Sequence, residues 1–254
     1  MTVQQESDRI MEFLKNTFHR AGFSQAVIAV SGGIDSAVSL ALTVAALGKE
    51  NVYPLLLPYG ALNTQGVLDA MELITVLQIP LFHVVRIDIK QVVDAVVGKD
   101  ALNMDNTRKG NVMARVRMIY LFDQAKKRNA LVVGTENKSE ELLGYFTRFG
   151  DSASDIEPMS HLYKTQVIEL AQHLSVPQSI INKPPSAGLW PEQTDEADFG
   201  FSYKDADQIL ALLYDEKKSA EEIVASGFNK ELVEKIQVRV SKNSFKHVVP
   251  YRFP

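Results

Sequence analysis

Four short apolar runs punctuate the first half of the chain: AVIAV (26–30), VYPLLL (52–57), FHVVRI (82–87) and ALVVG (130–134). They are rich in β-branched residues and lack polar alternation, so the pattern predicts strands buried on both faces. The intervening stretches follow a helical period. Ile10, Met11, Phe13, Leu14 and Phe18 line one face of a predicted helix over 7–20. Val67, Met71 and Ile74 do so over 64–78, and Val112, Val116 and Ile119 over 109–127. Strand-helix-strand alternation predicts an α/β fold: a doubly wound parallel sheet with helices on both faces and right-handed crossovers, Rossmann-like. The last third changes character. Val167, Leu170, Ala171 and Leu174 mark a helix over 164–174 by their i, i+3, i+4, i+7 spacing. Residues 182–203 carry no period and are rich in proline, glycine and acid. A segment that long is usually functional or disordered, and here it reads as a mobile loop. Helices are expected at about 204–215, 219–225 and 229–241. The chain reads as one domain over 1–254, with that loop and a helical C-terminal segment, 204–246.

Composition narrows the function. The 254 residues suffice for one substantial core, and 46% hydrophobic with 23% charged residues is ordinary for a soluble globular protein. Net charge is −4 with the two signs interspersed, so no basic face suggests a nucleic-acid partner. The absence of cysteine excludes disulfides, thiolate metal sites and thiol chemistry on this chain. The N-terminus carries charges where a signal peptide needs an apolar core, and no apolar run approaches the ~20 residues of a membrane span. A cytoplasmic protein is expected.

The first strand runs through Ala29 and Val30 straight into Ser31-Gly32-Gly33-Ile34-Asp35-Ser36, then into an apolar helix. In open α/β sheets, ligands bind beyond the carboxyl ends of the strands. Two glycines permit a tight turn with exposed backbone N–H groups, and the helix N-terminus behind them completes an anion nest. The two serines add hydroxyl donors. A glycine turn with a serine or aspartate cap is the plainer alternative. A P-loop would need a lysine here. Asp35 stands in the loop instead, and a carboxylate facing phosphate implies an intervening cation, Mg²⁺.

The hexapeptide resembles the signature of the ATP pyrophosphatases, or PP-loop enzymes, whose fold is the adenine nucleotide alpha hydrolase-like variant of the Rossmann-like sheet. Three further segments sharpen the resemblance: GTENKSEELLGYFTRFGDSASD (134–155) followed by IEPMSHLYKTQV, KPPSAGLW and QTDEADFGFSY within 183–203, and KGNVMARVRM (109–118). Together they resemble the NAD synthase family over roughly residues 8–246. The resemblance implies ATP contacts along Ala29–Ser36 and at Thr135, Lys164 and Ser186, with Mg²⁺ on Asp35 and Glu140. It implies that Arg115, Arg148, Asp155, Phe245 and Lys246 bind the pyridine dinucleotide, deamido-NAD. Read alone, Thr135 is equally a helix-start hydroxyl, and Asn137 with Glu140 equally a capping box. Arg115 on an apolar helix edge would otherwise snorkel to water, and Asp155 would sit in a solvated loop. Arg148 replaces the lysine common in the family, keeping the charge with a different geometry. Lys164, a cation at a helix start, opposes the helix dipole, and an ATP phosphate there would relieve it. Trp190 either covers the reaction intermediate or staples the loop.

The implied reaction activates the nicotinate carboxylate of deamido-NAD as an adenylate, then lets ammonia displace AMP. With no cysteine and no glutaminase segment, free ammonia is the expected donor, with a separate glutaminase subunit left open as its source. The resemblance also implies a homodimer, with helices 64–78 and 109–127 as candidate contacts. Two rivals remain at this point. One is another PP-loop ligase, of the tRNA-modifying or GMP-synthetase kind; the other is a non-catalytic ATP-binding module, which would not need Asp35, Glu140 and Lys164 together.

Overall fold

The computed structural model describes residues 2–98 and 103–253. Its sheet has four parallel strands: β1 (Gln25–Ala29), β2 (Val52–Leu56), β3 (Val85–Arg86) and β4 (Ala130–Val133), in the order β3-β2-β1-β4. Ala26 on the central β1 pairs with Val52 on one side and Leu131 on the other. The strands are buried on both faces, as their unbroken apolar runs predict. Ala26, Ile28, Val52, Leu56 and Val133 pack into one core with Ile10, Leu14 and Phe18 of α1 (Val3–Ala21). That layer also holds α2 (Ile34–Leu47), α3 (Thr64–Val76), α7 (Lys164–His173) and α8 (Gln178–Ile181). Val27, Leu55, Ala130 and Val132 point the other way, against α4 (Lys90–Val97) and α5 (Asn106–Arg128). The expected helix-sheet-helix sandwich is therefore present.

Local signals explain where the first helix starts and stops. Thr2 and Gln5 form a capping box ahead of α1, and Gly22 in the left-handed region closes it. A third core stands beside the sheet. It joins α6 (Lys138–Leu143), α9 (Asp195–Phe199), α10 (Tyr203–Leu210), α11 (Ala220–Ala225) and α12 (Lys230–Asn243) around Leu143, Phe199, Tyr203, Ile209, Ile223 and Ile236.

Three expectations change in detail. The run 82–87 is a strand only at Val85 and Arg86. Pro80 is followed by a 3₁₀ turn over Leu81–His83, and β3 lies at the sheet edge, where fewer ladder bonds hold it. The helix expected over 204–215 ends at Leu210 and widens to a π-helical turn over Ala211–Asp215. That turn delivers Asp215 to the Tyr163 hydroxyl, at 2.9 Å, and to the Lys138 ammonium. Residues 182–203 are not featureless: Thr194 caps α9 within them. No helix among the described residues is long and apolar enough to cross a membrane.

Candidate active site

The glycine loop leaves β1 at the sheet edge where the strands end. The Val30 amide still donates to the Leu55 carbonyl of β2, at 2.9 Å, and the chain then turns into α2. Gly32 has φ +77°, and a Cβ there would strike the carbonyl group of Gly66 at the start of α3. Backbone packed on backbone is what demands glycine at that position. The serines are used differently from the expectation. The Ser36 hydroxyl donates to the Gly33 carbonyl (3.0 Å) and accepts from the Ser31 amide (3.2 Å), and Ser31 Oγ accepts from the Gly33 amide (3.2 Å). The Ser36 hydroxyl therefore staples the loop instead of standing out as a free donor, and Ser31 Oγ joins it as an acceptor on the exposed side. No side chain caps α2, so its first-turn amides beyond Gly33 face the mouth of the loop. That is the chemistry of an anion site.

Beside this mouth sits a three-residue charge cluster. Lys164 Nζ donates to Asp35 Oδ2 at 2.5 Å and to Glu140 Oε1 at 3.0 Å, and the lysine side chain is 1% exposed. Asn137 Nδ2 donates to the other Asp35 oxygen at 2.8 Å. Asn137 also caps α6 by accepting from the Glu140 amide at 3.0 Å, so one residue fixes both carboxylates. Burial, with the Asp35 carboxylate next to it, pushes the Glu140 carboxyl up to about 8 against the pull of Lys164. Burial works against the charge on Lys164, yet Asp35, Glu140 and Asp195 overcome it and hold the ammonium above its ordinary value. Asp195 also accepts from the Tyr203 hydroxyl at 3.0 Å, and the Tyr203 ring lies 5.0 Å from Lys164 Nζ.

The start of α7 is not the free anion site that its cation suggests. The Lys164 amide donates to Ser139 Oγ (2.8 Å), and the Thr165 amide donates to the buried carboxylate of Asp207 (2.8 Å). Ser139 in turn donates to Asp207 at 2.5 Å. The dipole penalty on Lys164 is already met by Asp35, Glu140 and Asp195 around its ammonium, while Ser139 and Asp207 hold the backbone at the start of α7 and leave only the side chain to move.

Of the other expected contacts, Thr135 is half-buried between β4 and α6. The carbonyl just before it, Gly134, is held by Ser39 of α2 at 2.8 Å, which ties this segment to the glycine-loop helix. The Ser186 hydroxyl turns inward and donates to the Gln193 carbonyl at 2.6 Å. The base of the same segment is pinned by Lys183, whose ammonium donates to the Gly32 carbonyl at 2.7 Å and pairs with the buried Asp69.

Arg148 and Lys246 line a cavity of about 430 Å³, and Phe245 stands beside Arg148. The Arg148 guanidinium lies 5.1 Å from the Phe245 ring centre. Lys246 Nζ donates to the Gly144 and Phe146 carbonyls at 2.6 and 2.9 Å, so its head is fixed at the rim. Arg115 and Asp155 stand outside this set. Arg115 is exposed on α5 and reaches only the Asn111 carbonyl one turn back, at 3.5 Å. Asp155 accepts from the Val132 amide at 2.7 Å and so prolongs the edge of β4.

Sequence reasoning missed several participants. Ser139 and Tyr203 lie within the matched segments without a role read for them, and Asp207 lies outside them; only the packing of α10 against α6 and α7 brings the three together. Glu136 and Glu157 also line the cavity. The Glu157 carboxylate accepts from the Glu136 amide at 3.1 Å and from Ser154 Oγ at 2.6 Å, while Glu136 Oε1 is buried with no partner. Burial, reinforced by neighbouring acids, raises Glu157 to about 7 and Glu136 to about 10. A carboxyl raised in the folded state stabilises below its unfolded value, and that contribution is lost as pH rises through the folded value. Glu136→Gln, neutral throughout, should therefore gain thermal stability over the native chain progressively from about pH 5 to pH 9; a constant difference across that range would refute the shift.

The sequence profile of the NAD synthase family matches residues 6–250. The NH(3)-dependent NAD(+) synthetase of Fusobacterium nucleatum is 43% identical over 250 residues, covering 98% of this chain and 95% of that one. Among solved structures, NMN synthetase from Francisella tularensis superposes with a TM-score of 0.86 at 34% identity, covering 100% and 99% of the two chains. An NH3-dependent NAD synthetase from Campylobacter jejuni, in complex with nitrate, gives 0.84 at 32% identity over the full length of both. A glycine loop without a lysine, two carboxylates joined by a buried one, and relatives matched from end to end lead to one conclusion: this chain belongs to the NAD synthase family.

Proposed function

We propose that the chain converts deamido-NAD, ATP and ammonia into NAD, AMP and pyrophosphate through an adenylate. The observation that carries this reading is the convergence of Asp35, Glu140 and Lys164 at the mouth of the glycine loop. The α2 amides suit the ATP phosphates, and Lys164 and the loop stabilise charge that gathers on the departing pyrophosphate. Two carboxylates aimed at one point fit a hard divalent ion such as Mg²⁺. Among the described residues no group of three His, Cys, Asp or Glu side chains could hold a metal, so phosphate and water oxygens would complete its shell. The ion would supply charge neutralisation between the ATP phosphates.

The bond changes are few. A nicotinate oxygen attacks the α-phosphorus, and the bond to the bridging oxygen of pyrophosphate breaks. Ammonia then adds to the acyl carbon, AMP leaves with its oxygen, and the amide nitrogen gives up a proton. The chain's part is to position, to stabilise charge and to keep water from the adenylate, for which residues 182–203 are the lid. Arg148, Phe245 and Lys246 hold the pyridine nucleotide, with Arg115 and Asp155 joining from outside the cavity. Thr135 and Ser186 contact ATP, Ser186 after release from Gln193.

The deciding test is exchange of labelled pyrophosphate into ATP. It should require deamido-NAD; exchange without it, or release of ADP and orthophosphate, would end the reading. A second reading keeps the chemistry and shortens the substrate. The Francisella neighbour is named for NMN, so the corresponding mononucleotide acid belongs in the same assay, and whichever acid supports exchange at lower concentration is the substrate. Arg148→Ala should raise the KM for the pyridine nucleotide by about tenfold or more, as loss of a charged contact does, and leave that for ATP unchanged. Equal effects on both would remove Arg148 from that role.

Ammonium should support amide formation and glutamine should not unless a separate glutaminase is added. A homodimer is part of the proposal. It is supported by exposed apolar side chains on the two helices expected to meet, Leu68 and Val76 on α3 and Ile119 on α5. The proposed setting is cytoplasmic.

A further inference from the structure

Two anionic side chains and one cationic side chain occupy the point where a divalent ion is expected. Lys164 Nζ lies 2.5 Å from Asp35 and 3.0 Å from Glu140, each a charge-assisted hydrogen bond. A metal bound to both carboxylates would need those same oxygens. The ammonium and the ion cannot share them, because like charges would stand side by side at a site almost closed to water. Lys164 must leave first, and its backbone cannot follow, since Ser139 and Asp207 hold the start of α7. Moving the side chain alone would strand a buried ammonium without an anion, which is strongly unfavourable. A triphosphate on the glycine loop removes that obstacle, because it gives the ammonium a new anion beside the old one.

We propose that Lys164 acts as a built-in substitute for the metal, holding the Asp35–Glu140 pair closed to divalent cations until ATP draws its ammonium away, so that metal and nucleotide load together. This rests on the reading of Asp35 and Glu140 as metal ligands given above. Linkage requires the effect to be reciprocal: the metal strengthens ATP binding by the factor by which ATP strengthens metal binding. Lys164 is here a positioning residue before catalysis and a phosphate partner afterwards. The device also keeps the two carboxylates preorganised while no metal is bound.

The test is Mn²⁺ binding followed by electron paramagnetic resonance on the full chain without nucleotide. The native chain should bind Mn²⁺ only in the millimolar range, and Lys164→Met should bind one Mn²⁺ at least about tenfold more tightly. Equal affinities in the two chains, or no gain in Lys164→Met, would overturn the proposal. Because that variant leaves two buried carboxylates unpaired and can fail to fold, the native chain supplies an independent readout. The Lys164 side-chain nitrogen resonance should be unmoved by Mg²⁺ alone, and should shift when Mg²⁺ is added with a non-hydrolysable ATP analogue. A shift with submillimolar Mg²⁺ alone, or none with both, would likewise overturn it. Pyrophosphate exchange by the native chain tests the underlying reaction separately. A chain that exchanges pyrophosphate yet binds Mn²⁺ freely loses only this inference.

Discussion

Asp35→Asn should fold and fail to exchange pyrophosphate into ATP, with the rate down by about 10³-fold or more, on the scale of a lost charge stabiliser at a phosphoryl-transfer site. The substitution keeps the shape of the side chain and removes one negative charge. Lys164 retains Glu140 at 3.0 Å, so the buried ammonium is not left alone and the fold should survive. What disappears is one of the two anionic ligands on which a phosphate-bridging cation depends. Glu140→Ala should fail in the same assay for the same reason. The check is the exchange rate measured beside a thermal unfolding midpoint. Native exchange in either variant would remove that carboxylate from the metal role, and a collapsed midpoint would make it structural.

Gly32→Ala should be the most damaging single methyl group in the glycine loop. At φ +77° an alanine is strained, by about 1–2 kcal/mol. Its Cβ would also meet the Gly66 carbonyl, which is backbone and cannot rotate aside. The two effects together should cost about 2–4 kcal/mol and distort the nest, so that ATP binding is lost as well. Gly33→Ala is the control. Gly33 has φ −92° as the residue before α2, and only the Ser31 hydroxyl, at 3.3 Å, lies near its Cβ. It should cost about 1 kcal/mol or less. Urea unfolding of the two variants separates them; equal midpoints would show that the Gly32–Gly66 approach does not constrain the loop.

Much of this was readable along the chain. The apolar runs that become β1, β2 and β4 lie in the middle layer of the sandwich, and a run buried on both faces needs no partner to declare itself. Helix stripes such as Ile10, Leu14 and Phe18 report a buried face through local spacing. The glycine loop was legible because its demands are local: two residues without Cβ, an aspartate, and a helix directly behind. Asn137 and Glu140 were visible as a capping box; the structure makes half of it, with Asn137 accepting from the Glu140 amide, and turns the Glu140 carboxylate to Lys164.

What stayed hidden depends on separations in sequence too long for any period to register. Lys164 meets Asp35 across 129 positions and Glu140 across 24. Asp207 reaches Thr165 across 42, through a helix whose own pattern says only that one side is apolar. The inward turn of Ser36, the pinning of Lys183 on Gly32 and the shortening of β3 at the sheet edge are of the same kind. Residue types and their spacing settled which segments are strands, helices and the tight glycine turn, because those follow from hydrophobic period and backbone sterics within a few residues. Which carboxylates share one ammonium, and which hydroxyls remain free, was decided only when the layers packed, because buried charges must find partners wherever the fold brings them.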